Sequence, residues 1–430
     1  MMCAMTRYLI PLIGMLIALG QPFSAAEAAN CANTSVSLVP LTDLGSGLYQ
    51  GNAGGLYENG SNARPAAHNA AGLAIANSIV PLDTLGNPDP DHGRIVLISI
   101  GMSNATQEFS AFVPKAMSDP ARHPRLLVID CAQGGQSADR INVPDAAYWD
   151  AVSARLRAAG SAPRQAQVAW IKEANAGPTG GFLTSAEALQ RNLAAVVRII
   201  KQKLPNVRLA YLTSRIYAGY ANTSLNPEPY AYESGFAVKW LIEEQISGED
   251  SLNFDPGAGA AEAPWLSWGP YLWADGLSPR SDGLIWKCED FAADGTHPST
   301  SGRNLVADSL LAFFKRDETT VPWFVNPGTT AVPTRLLGDL RIVLAPNPGR
   351  GAVGITYGTH EGAPWKLDIL DLSGRRIRDL DRGLGNGGVL IRWWDGRDNT
   401  GARARAGIYW VRLTSGSQQI ARRLALLESF

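Results

Sequence analysis

Four short runs of consecutive apolar residues divide the first half of the chain. Each is about seven residues long and reads as a strand that is buried on both faces. The runs span residues 94–100, 125–131, 165–171 and 207–213. Residues 185–204 and 304–314 instead have apolar positions at helical spacing, and Thr184 or Ser185 can cap the first of these helices. Strands that alternate with helices predict an α/β domain with a parallel sheet covered on both faces.

Beyond residue 336 the pattern changes to short stretches of alternating apolar and polar residues. Turns such as NPGRG and TSGS separate these stretches, which is typical of a β-sandwich. The expected strands span residues 340–344, 353–357, 366–372, 389–393, 408–413 and 421–427. A segment rich in proline, glycine and threonine precedes them. We therefore predict an α/β domain over residues 30–320, a linker over 321–335 and a β-sandwich over 336–430.

The N-terminus has the layout of a secretory signal peptide. Arg7 supplies a positive charge, an apolar run of about 12 residues follows, and the small residues of SAAEAA come next. That run is too short to span a membrane, and no other stretch approaches the roughly 20 apolar residues that a spanning helix needs. We therefore predict a signal peptide over residues 1–29, an exported protein and no transmembrane span.

Export changes what the cysteines imply. Cys31, Cys131 and Cys288 remain after signal removal, so at most one internal disulfide can form. A Cys31–Cys288 bridge is one alternative and free thiols are the other. Cys131 ends the apolar run LLVIDC and is expected to be a buried thiol. Because the chain has no CxxC motif and no Cys/His cluster, we expect neither a metal site nor a cofactor.

The charges narrow the classes of partner. The net charge is −1, which gives no electrostatic case for a nucleic-acid partner. From residue 336 onward there are 14 Lys+Arg and 9 Asp+Glu, or +5, whereas the preceding residues have 24 and 30, or −6. This division of charge agrees with the division into two domains. The chain has only five histidines, so chemistry that depends on histidine has few candidates.

Three motifs adjoin predicted strands or a predicted helix, near the edge of the sheet where parallel strands end and ligands bind. Ser103 lies in a Gly-Met-Ser-Asn segment directly after the first strand. Gly135 lies in a Gln-Gly-Gly-Gln-Ser segment after the second strand. Asp294 and His297 lie three residues apart just before the helix over 304–314, a spacing that lets a carboxylate orient an imidazole. The remaining histidines are interpreted as loop residues (His68, His92 and His123) or as part of the β domain (His360).

Together these motifs resemble the SGNH (GDSL-like) hydrolases, and more loosely their carbohydrate-esterase and sialate-O-acetylesterase-like branch. The resemblance covers roughly residues 90–315 and implies a flavodoxin-like, three-layer α/β/α domain. It implies that Ser103 is the nucleophile, His297 the base and Asp294 the orienting acid. A glycine after the second strand donates an N–H to the oxyanion in that family, which matches Gly135, with Gly134 as the near alternative.

The third family motif departs from the usual pattern. The segment after the third strand is Trp-Ile-Lys-Glu-Ala-Asn, and Asn175 is the nearest amide, one place from the usual asparagine. Lys172 or Glu173 facing the cleft is an open alternative. The resemblance implies a serine esterase that acts on a small-molecule or glycan ester. Because of the changed motif, the competing hypothesis is a non-catalytic protein that binds glycans or surfaces.

The C-terminal region resembles the immunoglobulin-like domain of flagellar hook-capping proteins and of type IX secretion sorting domains. The match covers residues 340–428 and depends on four spaced segments, which are APNP, LDLSGR, WDGRD and AGIYW. The resemblance implies a secreted or cell-surface protein of a bacterial envelope. It also implies contact with a cell surface or with secretion machinery.

Overall fold

The computed structural model describes residues 28–326, 341–345, 347–349, 353–359, 362–385, 389–416 and 418–427. The predicted signal peptide therefore lies almost entirely outside the described residues, as do His360 and residues 327–335 of the predicted linker.

A five-stranded parallel sheet forms the centre of the α/β domain. Its strands are β1 (Ile95–Gly101), β2 (Leu126–Ile129), β3 (Ala166–Lys172), β4 (Leu209–Leu212) and β5 (Trp265–Trp268). They are arranged in the order 2-1-3-4-5, so the topological switch point lies beside β1. Residues of β1 and β3 to β5 are buried throughout, in agreement with their continuous apolar sequences. The parallel α/β sheet is confirmed, with β5 as an additional strand.

Six longer helices flank this sheet. They are α1 (Ala66–Asn77), α2 (Ser103–Ser118), α3 (Ala147–Ala158), α4 (Phe182–Lys203), α5 (Tyr230–Ile246) and α6 (Thr300–Phe314). Helix α4 begins at Phe182, slightly before its predicted start, and packs against α5, while α2 packs against α6. Shorter helical elements span Leu41–Leu44, Glu58–Gly60, Ala138–Ile141, Pro163–Gln165, Asp250–Leu252 and Cys288–Asp290, and the strands Leu48–Tyr49 and Asn52–Ala53 form a small hairpin.

The α/β domain continues to Asn326, so the first residues of the predicted linker belong to it. Val321–Phe324 is a short helix, and the Trp323 and Phe324 side chains in it are fully buried. Phe324 stacks on Phe314 with ring centroids 5.3 Å apart. These large aromatic side chains close the core beneath α6, which explains why a proline-containing segment is ordered here.

A disulfide between Cys31 and Cys288 attaches the N-terminal segment to the domain. Two backbone hydrogen bonds accompany it, from Ala29 N–H to the carbonyl of Ala293 at 2.6 Å and from Asn30 N–H to that of Tyr220 at 2.9 Å. Of the two alternatives left open by the sequence, the structure therefore has the bridge. Cys131 is free and buried.

The C-terminal region forms two antiparallel sheets with one shared hydrophobic core. Its strands are β6 (Arg341–Ala345), β7 (Val353–Gly358), β8 (Pro364–Leu370), β9 (Arg376–Leu384), β10 (Val389–Trp394), β11 (Gly407–Ser415) and β12 (Gln418–Leu426). One sheet has the order β9-β8-β11-β12 and the other β10-β7-β6. Strand β9 is absent from the sequence prediction because its residues are mostly charged. Among the described residues, no helix combines the length and apolarity that crossing a membrane requires.

Candidate active site

A cavity of about 280 Å³ lies where the carboxyl ends of the strands meet. Its lining comes from the segments that follow β1, β2, β3 and β4, together with the turn before α6. This is the edge at which doubly wound sheets bind their ligands. Ser103, Gly135, Asn175 and His297 all line this cavity, so the structure brings these residues together from four distant parts of the sequence.

Ser103 is the first residue of α2, and only Met102 separates it from Gly101, the last residue of β1. The first N–H groups of a helix have no acceptor within the helix, and the partial positive charge of the helix terminus favours an anion there. The chain reverses from strand to helix at this point, which turns the Ser103 side chain into the cavity. Its backbone N–H is therefore suited to stabilise negative charge on a bound ligand.

Asp294 and His297 lie on one tight turn. The Oδ1 atom of Asp294 accepts hydrogen bonds from the N–H groups of Thr296 at 2.9 Å and His297 at 3.0 Å. Gly295 lies between them at φ +64°, and a Cβ added to it would lie 2.1 Å from the carbonyl oxygen of Tyr220. A glycine is required here for both reasons.

The imidazole of His297 lies between Asp294 and Ser103 and is within hydrogen-bond distance of both. Its Nδ1 lies 2.5 Å from Oδ2 of Asp294, and its Nε2 lies 2.8 Å from Oγ of Ser103. Burial alone would raise the pKa of Asp294, but hydrogen bonds from the ring and backbone of His297 and from Thr296 outweigh it and lower that pKa. Asp294 is therefore ionised at neutral pH, and a carboxylate beside Nδ1 fixes the tautomer that leaves Nε2 free to accept a proton.

Asn104 joins the serine turn to the histidine turn. Its side chain is 1% exposed, and its Nδ2 donates to the carbonyl oxygen of Thr296 at 3.0 Å. Because Ser103 and His297 are the neighbours of these two residues, this bond sets the separation of their side chains. The sequence motif contained Asn104, but its partner 192 residues away was not predictable from spacing.

Gly135 is the glycine of the second motif that lines the cavity. It has φ +75°, a conformation that side chains disfavour, and its carbonyl accepts a hydrogen bond from Nη1 of Arg140 at 2.9 Å. The N–H of Gly135 belongs to the preceding peptide and has no protein acceptor within the described residues. A Cβ on the neighbouring Gly134 would lie 3.7 Å from Cβ of Ser103, so the chain at Gly134 runs close to the serine.

Asn175 lines the cavity three residues after the end of β3, and a chain of side-chain amides determines its orientation. Asn142 Nδ2 donates to Oδ1 of Asn192 at 2.7 Å, and Asn192 Nδ2 donates to Oδ1 of Asn175 at 2.8 Å. With its oxygen engaged, Asn175 has its own NH₂ available to a ligand. No sequence signal pointed to Asn142 or Asn192, because their contacts depend on the packing of two separate helices.

Lys172 and Glu173, the alternatives to Asn175, do not line the cavity. Lys172 Nζ forms a fully buried ion pair with both carboxylate oxygens of Glu108 at 2.6 Å. Glu173 is buried, and neither of its carboxyl oxygens has a hydrogen-bond partner among the residues described. Burial raises its pKa well above the ordinary value. The departure from the expected motif thus supplies a buried ion pair and a buried acid outside the cavity lining, rather than a replacement for the amide.

Trp265, Trp273 and His68 do not line the cavity. The stretch from Trp265 contributes β5, and Trp273 is buried and donates from Nε1 to Glu228 at 2.8 Å. His68 is buried in helix α1 rather than in a loop, and its ring stacks on Trp265 with centroids 4.8 Å apart. Burial lowers the pKa of His68 to about 4, so it is neutral at physiological pH. Among the described residues, no group of three or more metal-ligating side chains occurs.

The fold and cavity together define a class of site: a serine at a strand-to-helix turn, hydrogen-bonded to a histidine that is itself hydrogen-bonded to a carboxylate. In such an arrangement the imidazole can take the serine proton, and backbone N–H groups can stabilise an oxyanion.

No family model matches the chain, and no curated protein matches it. Among solved structures, the chain is similar to the periplasmic domain of the lipopolysaccharide acetyltransferase of Salmonella ser. Paratyphi A, with 13% identity over 58% of this chain and 96% of that one and a TM-score of 0.30. It is also similar to the YXIM protein of Bacillus subtilis, with 14% identity over 54% of this chain and 58% of that one and a TM-score of 0.31.

A third similarity is to dimeric latent PorU from Porphyromonas gingivalis, with 19% identity over 21% of this chain and 9% of that one and a TM-score of 0.19. The chain spans less than two thirds of the Bacillus and Porphyromonas structures. All three TM-scores are below 0.5, so the functional conclusion depends on the site itself.

Proposed function

We propose that this protein is a secreted serine hydrolase that cleaves carboxylic esters with Ser103, His297 and Asp294. One observation carries the proposal: Nε2 of His297 lies 2.8 Å from Oγ of Ser103, while Nδ1 lies 2.5 Å from Asp294. Both distances are within hydrogen-bond reach, and all three residues come from the motifs that resemble SGNH hydrolases. The strand order 2-1-3-4-5, which flavodoxin-like sheets also have, supports assignment to that fold.

The chemical steps follow from the hydrogen bonds. Neutral His297 accepts the Ser103 proton through Nε2 while the hydroxyl oxygen attacks the ester carbonyl. The N–H groups of Ser103 and Gly135 and the amide of Asn175 stabilise the oxyanion of the tetrahedral intermediate. His297 then protonates the departing alcohol, and Asp294 stabilises the imidazolium that exists between these steps. Water hydrolyses the acyl-serine by the same route and releases the acid.

The remaining parts of the chain support an extracellular location for this activity. The disulfide between Cys31 and Cys288 requires an oxidising compartment, which agrees with a signal peptide over residues 1–29. We assign the two C-terminal sheets to an immunoglobulin-like sorting or surface module, on the resemblance of their sequence to such domains. In this role the module contacts a cell surface or secretion machinery.

The test is hydrolysis of 4-nitrophenyl acetate by the purified mature protein. Ser103→Ala is expected to lower kcat by at least about 10³-fold, since nucleophile removal in such triads has effects of that size or larger. Ser118→Ala is the matched control, because Ser118 ends the same helix and its hydroxyl donates to the backbone carbonyl of Pro114. Equal activity of the Ser103→Ala and wild-type proteins would refute the assignment.

The competing function is a non-catalytic protein that binds glycans or surfaces on the same scaffold. The altered motif after β3 motivates it. A folded protein with no activity on any short acyl ester would favour this alternative. The position of Asn175 on the cavity argues against it, because an amide donor is present despite the altered motif.

A further inference from the structure

The cavity wall contains a buried cation that has no ion-pair partner among the described residues. Arg215 follows β4, lines the cavity and is 1% exposed. Neither its Nε nor its Nη2 has a hydrogen-bond partner among the described residues, and it forms no ion pair with them. A guanidinium remains charged in proteins, and a buried charge without a partner is costly. Such a group in a cavity wall indicates that a ligand supplies the missing partner.

The acidic groups near Arg215 do not serve as its counter-ion. Glu108 is already paired with Lys172, and Asp294 is hydrogen-bonded to His297. Burial raises the pKa of Glu228 to about 7, and its oxygens accept from Trp273 and two backbone N–H groups. Burial raises the pKa of Glu173 well above its usual value, which favours the uncharged form. Each carboxyl group around the guanidinium is thus either engaged elsewhere or shifted by burial toward its neutral form.

Other polar atoms of the cavity wall have the same character. Within the part of the chain that the structure describes, Oγ of Ser137 and Oδ1 of Asn226 are buried without hydrogen-bond partners, and both residues line the cavity. A second arginine, Arg140, lies at the exposed part of the wall, whereas no aspartate or glutamate lines the cavity. The wall thus offers positive charge, a hydroxyl donor and an amide acceptor, a combination suited to an anion with a nearby hydroxyl group.

We propose that Arg215 binds a carboxylate group of the ester substrate, so that the natural substrate is an ester bearing a free acid. This inference rests on the proposed esterase function only in identifying the ligand as an ester substrate, because carboxylate binding itself is measurable without turnover. A carboxylate is the class that matches a planar guanidinium in two parallel hydrogen bonds. Ser137 then donates to the same group, and Asn226 accepts from a hydroxyl of the substrate.

Binding is tested first, by calorimetric titration of the purified protein with sodium succinate and with neutral succinamide. Succinate is expected to bind and succinamide is not. Arg215→Met, which retains a long side chain, is expected to weaken succinate binding by at least about 30-fold. Arg64→Met is the matched control, since Arg64 is a mostly buried arginine that pairs with Asp317 and does not line the cavity. Inorganic phosphate that binds as tightly as succinate would contradict a carboxylate site.

Turnover is tested with esters that differ only in charge. 4-Nitrophenyl hemisuccinate is compared with its methyl ester, which places the charge on the acyl side. 4-Acetoxybenzoate is compared with its methyl ester, which places the charge on the alcohol side. The anionic member of at least one pair is expected to have the higher kcat/KM. Arg215→Met is expected to lower that kcat/KM by about 30-fold or more, and that of the neutral member less than threefold.

The outcomes separate this inference from the proposed function. Cleavage of the neutral esters with no Arg215-dependent succinate binding and no charge preference would overturn the carboxylate site and leave the esterase intact. Succinate binding that depends on Arg215, without cleavage of any ester, would overturn the esterase and retain the site. A misfolded Arg215→Met protein would lower activity on both members of a pair equally. In that case Arg215→Lys, which retains the charge, is expected to restore folding and part of the preference for the anionic ester. An Arg215→Lys protein that binds no succinate but keeps the full wild-type preference for the anionic ester would count against the site.

Discussion

Asn104→Ala removes the bond between the two turns that carry Ser103 and His297. Asn104 Nδ2 donates to the carbonyl of Thr296 at 3.0 Å, and both residues are at most 2% exposed. The substitution leaves a buried carbonyl without a partner, which costs about 1–3 kcal/mol. If that cost falls on the productive arrangement of the serine and histidine, it corresponds to a loss of about 5- to 160-fold in kcat.

The assay measures kcat and KM for 4-nitrophenyl acetate together with the free energy of unfolding in urea. We expect kcat to fall while KM changes little, because Asn104 sets the position of catalytic groups rather than binding the acyl chain. Asn206→Ala is the matched control, since Asn206 makes the same type of amide-to-carbonyl bond, to Arg164 at 2.6 Å, at an exposed position. A kcat within twofold of wild type, in a protein of measurably lower stability, would refute the positioning role.

Three further predictions concern the support of the site. Lys172→Met leaves the buried carboxylate of Glu108 without its partner, so the free energy of unfolding in urea should fall by about 3–5 kcal/mol. Adding Glu108→Gln to this variant should recover part of the lost stability, whereas an unchanged stability in Lys172→Met would contradict the pairing. The disulfide joins Cys31 to Cys288 across a sequence separation of 257 residues, so Cys288→Ser should lower the free energy of unfolding in urea by about 2–4 kcal/mol. Adding reductant should lower the stability of the wild type by the same amount and leave that of the variant unchanged. Asp294→Asn should lower kcat by roughly 10⁴-fold. Because the pKa of Asp294 is lowered in the folded protein, its carboxylate contributes stability that is fully present above the unfolded pKa of about 3.9 and is lost as the pH falls through the folded pKa. The variant should therefore lose less stability than wild type between pH 7 and pH 3, measured by denaturation in urea.

The strands that are predictable from the sequence are those whose burial makes them continuously apolar. β1 and β3 have this character, and each lies within one residue of its predicted bounds. β5 was missed because its short tryptophan-rich sequence does not by itself indicate a strand, and only pairing with β4 identifies it. The helix Val321–Phe324 was missed because proline and nearby glycine indicate a linker, whereas burial of Trp323 decides the outcome. Tertiary packing overrides local preference in both cases.

The site divides in a similar way. Ser103, Asp294 and His297 were identifiable because each lies in a short motif beside a predicted strand or helix. The amide chain from Asn142 through Asn192 to Asn175 was not, since it joins three segments whose proximity exists only in the folded protein. The isolation of Arg215 was equally hidden. Whether a buried charge has a partner depends on every element around it, and a sequence pattern does not contain that information.

The most direct test of the account is mass spectrometry of the intact and digested protein after reaction with a fluorophosphonate. The account predicts one covalent adduct per molecule, located on Ser103, with a labelling rate that falls at least about 10³-fold in His297→Ala. A folded protein with its disulfide intact and Ser103 unmodified would contradict it, as would an adduct that forms at the same rate without the imidazole.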